Sequence, residues 1–261
     1  MSVSLIACYI CDSLKAHISQ VVDEATFRLL AVFASLAVAD EWWRAMSVST
    51  SPHAKFIKRV APQFYAHDAT QCNLSGFFDV PEFKPIADMF RGRMLFTPLN
   101  DGLLGISIIP PQEITDHISG GWYHIRSVSD HALYWHYDTA ENKIRASEGE
   151  PTQFRIGIRN GAPEKTILVG TDRITLYIGS QLYVYEELSG QLKARPGSPG
   201  DFRFRELESG NFAMSEDATV VFVDNADSNK RLVGWELSPA LSPSPRETTP
   251  EHFDSENVSA H

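Results

Sequence analysis

Apolar side chains at Ile10, Leu14, Ile18, Val22, Ala25, Leu29, Phe33 and Leu36 recur at intervals of three and four residues. That spacing lays them along one stripe of a helix or helix pair, and it predicts an α-helical N-terminal segment over 1–49. Within it the run Leu29 to Ala39 is apolar throughout, yet it falls far short of the roughly 20 residues that cross a bilayer. No membrane partner is expected. From 50 to 118 the period disappears and prolines at positions 52, 62, 81, 85, 98, 110 and 111 cut the chain into short pieces, which reads as an irregular Pro-rich connecting region. Two brief elements are expected there, a helical turn at Ile86 to Phe90 and a strand at Leu103 to Ile109. The stretch 239–261 is Pro/Ser-rich, acidic and nearly free of large apolar side chains. Such a tail cannot bury enough surface to offset its ordering entropy, so it is expected to be disordered from Ser238 onward.

Between these regions, over 119–238, the pattern switches to the two-residue alternation of strands. An apolar-x-apolar pair opens three segments, at Tyr123-His-Ile125, Ile167-Leu-Val169 and Phe212-Ala-Met214, offset by 44 and 45 residues. A second alternating strand follows each opening: Leu133-Tyr-Trp135, Leu176-Tyr-Ile178 and Val220-Val-Phe222. Aromatic-x-apolar pairs close the segments, at Phe154-Arg-Ile156, Phe202-Arg-Phe204 and Trp235-Glu-Leu237. Three units of about 40 residues, none able to bury its apolar face alone, predict an all-β fold of the β-trefoil type whose core holds these inward positions. An up-and-down barrel is the competing arrangement.

Gly121-Trp-Tyr-His-Ile125, the hairpin at Leu133-Tyr134 and the closing Trp235-Glu-Leu237 resemble the fungal β-trefoil serine-protease inhibitors. Asn160-Gly-Ala-Pro163 followed by Gly179-Ser-Gln-Leu-Tyr-Val184 is similar to their second repeat. The resemblance covers 119–238 only, and it implies a non-enzymatic binding protein that inhibits a trypsin-like serine protease through a surface loop. More distantly the chain resembles ricin-B-type lectins, whose units close with Gln-x-Trp. Here Gln153-Phe154 and Trp235 approach that close without completing it, and a lectin-like, carbohydrate-binding module is the alternative.

Charge narrows the partners. With 23 Lys+Arg against 33 Asp+Glu the net charge is −10, whereas a nucleic-acid binder normally carries a basic face; a protease or a glycan is expected instead. The three cysteines, Cys8, Cys11 and Cys72, are too few for a disulfide framework, and Cys8-Tyr-Ile-Cys11 lacks the second half of a zinc site. Ala37-Val-Ala39 before Asp40 has the small-x-small form of a signal cleavage site. Acidic Asp23 and Glu24 upstream favour a packed, cytoplasmic segment over secretion.

Candidate chemistry lies on the loop from Thr139 to Thr152. It carries Asn142, Lys143 and Arg145, and an exposed basic side chain is what the acidic pocket of a trypsin-like protease reads. Arg195, before Pro196, is a second option. For a sugar the candidates are Trp135, Tyr137, Asp138 and Tyr183, because aromatic faces stack on carbohydrate rings. His131 and His136, near Asp130 and Asp138, are five apart and should point to opposite faces of a strand, so they are not expected to share a metal. Asp224 to Asn229 has the composition of a calcium loop but lacks the EF-hand glycine and distal glutamate, and reads as a turn. Neither a Gly-x-Ser-x-Gly elbow nor a His-Glu-x-x-His pair occurs, and no cofactor is expected.

Overall fold

A computed structural model describes residues 4–8, 29–62, 64–68, 71–72, 74–98, 115–159, 161–209, 211–215, 220–223 and 231–240. The N-terminal elements are β1 (Ser4–Cys8), β2 (Leu29–Phe33), α1 (Leu36–Ser47), β3 (Ile57–Ala61), β4 (Phe64–His67), α2 (Lys84–Phe90) and β5 (Met94–Pro98). β2 is the centre of an antiparallel sheet flanked by β1 and β5, and β3 pairs with β4.

This corrects the expectation of a helical segment. Leu29 and Phe33 are four apart, which is one helical turn but also two strand periods; here Leu29, Ala31 and Phe33 alternate inward along β2. The helix starts only where Ser35 accepts a hydrogen bond from the Val38 N–H at 3.3 Å, capping the first turn of α1. Val38, Ala39, Trp42 and Met46 form its buried face, so the small-x-small stretch lies inside the helix. Trp42 is fully buried and sits within 6.1 Å, ring to ring, of Phe33, Tyr65, Phe77 and Phe96. The region read as irregular therefore contributes β3, β4, α2 and β5 to an aromatic core. The helical turn expected at Ile86 to Phe90 is the body of α2. The strand expected at Leu103 to Ile109 and the stripe from Ile10 to Ala25 lie outside the described residues.

The second core is enclosed by β6 (Gly121–Ser127), β7 (Leu133–Asp138), β8 (Lys143–Glu148), β9 (Phe154–Ile158), β10 (Arg173–Ile178), β11 (Leu182–Glu186) and β12 (Leu192–Pro196). These pair in the cyclic order β6-β7-β8-β12-β11-β10-β9 and back to β6, a closed seven-stranded antiparallel barrel. After it come β13 (Phe202–Arg203), the short helix α3 (Arg205–Glu208), β14 (Phe212–Met214), β15 (Val221–Val223), β16 (Arg231–Val233) and β17 (Trp235–Pro239). β13 pairs beside β10, and β17 lies along β6. β14 forms a separate three-stranded sheet between β15 and β16.

The threefold β-trefoil expected from the repeat is thus overturned, while the all-β character of the region stands. The three openings are not equivalent. Tyr123-His-Ile125 lies in barrel strand β6, Phe212-Ala-Met214 is β14 in the separate sheet, and Ile167-Leu-Val169 belongs to no strand, Ile167 making only an isolated bridge to Ile118. Near-equal spacing of apolar pairs reports burial, since all three pairs are buried, but says nothing about which strands they join. The first residues of the expected tail are ordered against the barrel. Ser238 and Pro239 are paired with His124 and Tyr123, and the Ala240 N–H donates to the Trp122 carbonyl at 2.9 Å. The remainder of the tail, from 241, lies outside the described residues.

Two clasps join the cores. Arg44 of α1 donates through Nη1 to the Ile167 carbonyl at 2.6 Å and to Asp172 at 2.8 Å, and Asp172 also accepts the Val169 N–H at 2.9 Å. Arg59, with only 4% of its side chain exposed, bridges Asp40 at 2.8 Å and Asp116 at 2.5 Å.

Candidate binding face

A seven-stranded barrel is too narrow to hold a ligand once its inward side chains are placed. Here Trp135, Phe154, Ile156, Leu176, Val184 and Trp235 are fully buried and occupy that space. Recognition at the barrel must use its outer face or its turns, and strand alternation decides which side chains go there.

The loop candidates for protease inhibition are not presented as a loop. Lys143 and Arg145 lie in β8, opposite Asp138 and His136 of β7, and only Asn142 remains in the turn, at φ 54°. The turn is braced from within. Asp138 accepts the Ala140 and Glu141 N–H groups at 2.9 and 3.1 Å, and the Glu141 N–H is the main cause holding its carboxyl below the usual range. Lys143 Nζ lies 2.9 Å from Glu141, whose carboxyl it holds down in turn. Arg145 Nε sits 2.9 Å from Asp138, off the line of a hydrogen bond, and its Nη2 is 3.7 Å from Glu141. Both basic groups are committed to neighbouring carboxylates. Asn142 Oδ1 accepts from the Tyr137 hydroxyl at 3.0 Å and the Ala194 N–H at 3.3 Å.

Of the sugar candidates, Trp135 is fully buried between Phe154, Phe212 and Trp235. Tyr137 packs against the same core, and Asp138 is used by the turn. Tyr183 alone is on the outer face. Its partner was not anticipated: Tyr177 of β10 lies directly opposite on the pairing of β10 with β11, with ring centroids 4.8 Å apart and planes inclined by 49°. Beneath it lies Gly157, where a Cβ would stand 3.3 Å from the Tyr177 ring; the absent side chain lets the ring lie down on the sheet.

The same line of outward positions continues across the neighbouring strands. Arg155 of β9 is opposite Tyr177, and Arg195 of β12 is opposite Tyr183, while Trp122 of β6 is opposite Arg155. Tyr185, two residues along from Tyr183, holds the Arg195 guanidinium 4.1 Å over its ring. Alternation alone marks each of these as outward; the missing information was strand order. An inspection for Tyr residues at equal distances either side of Ser180, the centre of the turn, would have found the Tyr177 and Tyr183 pair.

The strand argument does not apply to the histidines as expected: His131 lies in the turn before β7 and only His136 is on the strand. His131 Nε2 lies 3.5 Å from Glu236, whereas His136 Nδ1 is 2.9 Å from the Glu150 carbonyl. Among the described residues no group of three or more His, Cys, Asp or Glu side chains converges as a metal site. Asp224 to Asn229 and Cys11 lie outside the described residues, and Cys8 is placed on β1. Among the described residues, too, no helix is long and apolar enough to cross a membrane. A cleft of about 430 Å³ separates the cores beside Asp40, Glu41, His117 and Arg205, but its carboxylates are already held by Arg59 and Arg93.

No family model, curated protein or solved structure matches this chain.

Proposed function

We propose that the protein is a non-enzymatic carbohydrate-binding module, and that its binding face is the outer barrel wall around Tyr177 and Tyr183. The observation that carries this reading is the tyrosine pair itself: two half-buried rings, 4.8 Å apart, fixed on adjacent strands rather than on a loop. A tyrosine offers an apolar ring for the C–H face of a sugar and a hydroxyl for its polar rim. Held by strand pairing, the rings lose little freedom when a ligand settles on them, which is the advantage of a rigid scaffold.

Inhibition of a trypsin-like protease draws less support. Lys143 and Arg145 are in strand β8 with carboxylates beside them, so an acidic protease pocket would have to displace Glu141 and Asp138.

A glycan array followed by calorimetry tests the reading. Removing both rings in Tyr177→Ala/Tyr183→Ala forfeits about 1 kcal/mol each, roughly thirtyfold in Kd, while circular dichroism remains that of wild type. Sugar binding that is unchanged in this variant would refute the face; trypsin inhibition abolished by Lys143→Ala with Arg145→Ala would restore the inhibitor.

A further inference from the structure

We infer that the ligand of this face is an acidic saccharide whose carboxylates are read by Arg155 and Arg195. The inference rests on the carbohydrate reading of the tyrosine pair and adds the charge class of the sugar.

The tyrosines are the middle two places of a four-strand rung whose outer places are both arginine: Arg155, Tyr177, Tyr183, Arg195. With neighbouring strands about 4.8 Å apart, three steps separate the arginines by roughly 14 Å along the curved wall. That span suits a short oligosaccharide lying across the strands, with its rings over the tyrosines and an acidic substituent at each end. A neutral sugar could accept hydrogen bonds from these guanidinium groups but would leave their charge unmatched.

Each arginine is held in a way that leaves donors for a ligand. Arg195 is exposed; its Nε reaches the Ser198 carbonyl at 3.4 Å and its guanidinium carbon lies 4.1 Å from the centre of the Tyr185 ring. Among the described residues it has no carboxylate within ion-pair distance. The guanidinium is thus oriented by an aromatic face, which leaves its Nη groups pointing at no anion, and a planar fork of this kind suits a carboxylate. Arg155 is anchored through Nε to the Gly120 carbonyl at 3.3 Å and through Nη2 to Glu164. Glu164 is 73% exposed, and so exposed a pair holds weakly enough for a ligand carboxylate to exchange with it.

The contrast with the neighbouring lysines sharpens the assignment. Lys143 and Lys193 face each other across β8 and β12, and each is already matched, by Glu141 and Glu187 at 2.9 and 2.8 Å. On a chain of net charge −10, an anion is repelled at long range and needs local cations. The rung supplies them beside the rings.

The probes are tetragalacturonate, the same tetramer with its carboxylates reduced to hydroxymethyl groups, and a single-stranded oligonucleotide, each titrated by calorimetry into the full chain. Wild type is expected to bind the acid at least tenfold tighter than its reduced form. Arg155→Gln and Arg195→Gln should each weaken the acid by about tenfold, the scale of one charge-assisted hydrogen bond, and leave the reduced tetramer unaffected. Tyr177→Ala/Tyr183→Ala should weaken both tetramers, which separates the two claims. Equal binding of the acid and reduced tetramers would overturn the acidic assignment while leaving the carbohydrate reading intact. Failure of wild type to bind either tetramer would overturn both, and tighter binding of the oligonucleotide than of the acid would replace the saccharide by a nucleic acid.

Discussion

Replacing Trp235 by alanine tests how far the last strand, which is not one of the seven in the closed ring, holds the barrel core together. Trp235 is fully buried, lies 5.7 Å from Trp135 at 72° between ring planes, and donates its Nε1–H to the Phe212 carbonyl at 3.3 Å. One side chain therefore links β17, the barrel interior and the separate sheet at β14. Truncating a buried aromatic costs about 3 to 5 kcal/mol, of which the lost N–H donor accounts for roughly 1 kcal/mol. A destabilisation of about 4 kcal/mol should lower Tm by roughly 8 to 16 °C for a unit of this size. Trp235→Phe keeps most of the ring and loses the donor, so its cost should be about 1 to 2 kcal/mol. Urea titration followed by circular dichroism gives both values, and hydrogen exchange should show protection falling in β6 and β14 and persisting around Trp42 in the other core. A Trp235→Ala loss below about 1 kcal/mol, or protection lost first around Trp42, would refute the account of Trp235 as the joint of the barrel.

Two further outcomes follow from buried titratable groups. Burial pushes the Cys72 thiol up to about 12, with Asp68 adding to the effect, so at pH 8 almost none of it is the reactive thiolate; peptide-resolved mass spectrometry should find Cys72 unlabelled by iodoacetamide in the native protein and labelled in urea, and rapid native labelling contradicts its placement. Burial raises the carboxyl of Asp40 above its ordinary value of 3.8, against the pull of Arg59. The folded state holds that proton more tightly than the unfolded chain, so the stability it contributes is full below the ordinary value and is lost as pH rises through the raised one. Urea midpoints measured across that window should show wild type losing stability relative to Asp40→Asn as pH increases; a difference independent of pH would reject the assignment.

The alternation of apolar residues identified what is inside the barrel. Tyr123, Ile125, Trp135, Phe154, Ile156, Leu176, Phe202, Trp235 and Leu237 were expected in the core and are buried, because period two is a local property of a strand, whereas Leu133, Ile178 and Val220, expected there too, are only half-buried. Strand order is not local. The pairing of β8 with β12, which helps to close the ring, is a contact between Lys143 and Lys193, and nothing in either segment announces the other. The same limit explains the helix misread at Leu29: a strand flanked on both sides can be apolar without interruption, and a spacing of four fits either element. At the proposed binding face, Tyr183 was legible as an aromatic on a strand. Tyr177 needed the register of its hairpin, fixed by the Ile178 to Leu182 pairing around Gly179 at φ 60°. Arg155 and Arg195 needed the longer-range pairings as well. Lys143 and Arg145 looked available because a sequence shows charge without showing the carboxylate beside it.

The pairing of β17 with β6 has a consequence for how the protein is made. Arg126 meets Glu236 at 2.6 Å across 110 residues of chain. During synthesis β6 emerges well before β17, and the part of its edge that β17 covers stays unsatisfied until Pro239 is translated. At 5 to 20 residues per second that wait is on the order of 5 to 20 s, far longer than a hairpin takes to form. The hairpins can therefore be in place before Trp235 exists, leaving the Trp135 cavity open at the ribosome. A nascent barrel in that state exposes apolar surface and a free strand edge, which makes the interval before β17 arrives the period in which a chaperone is most needed.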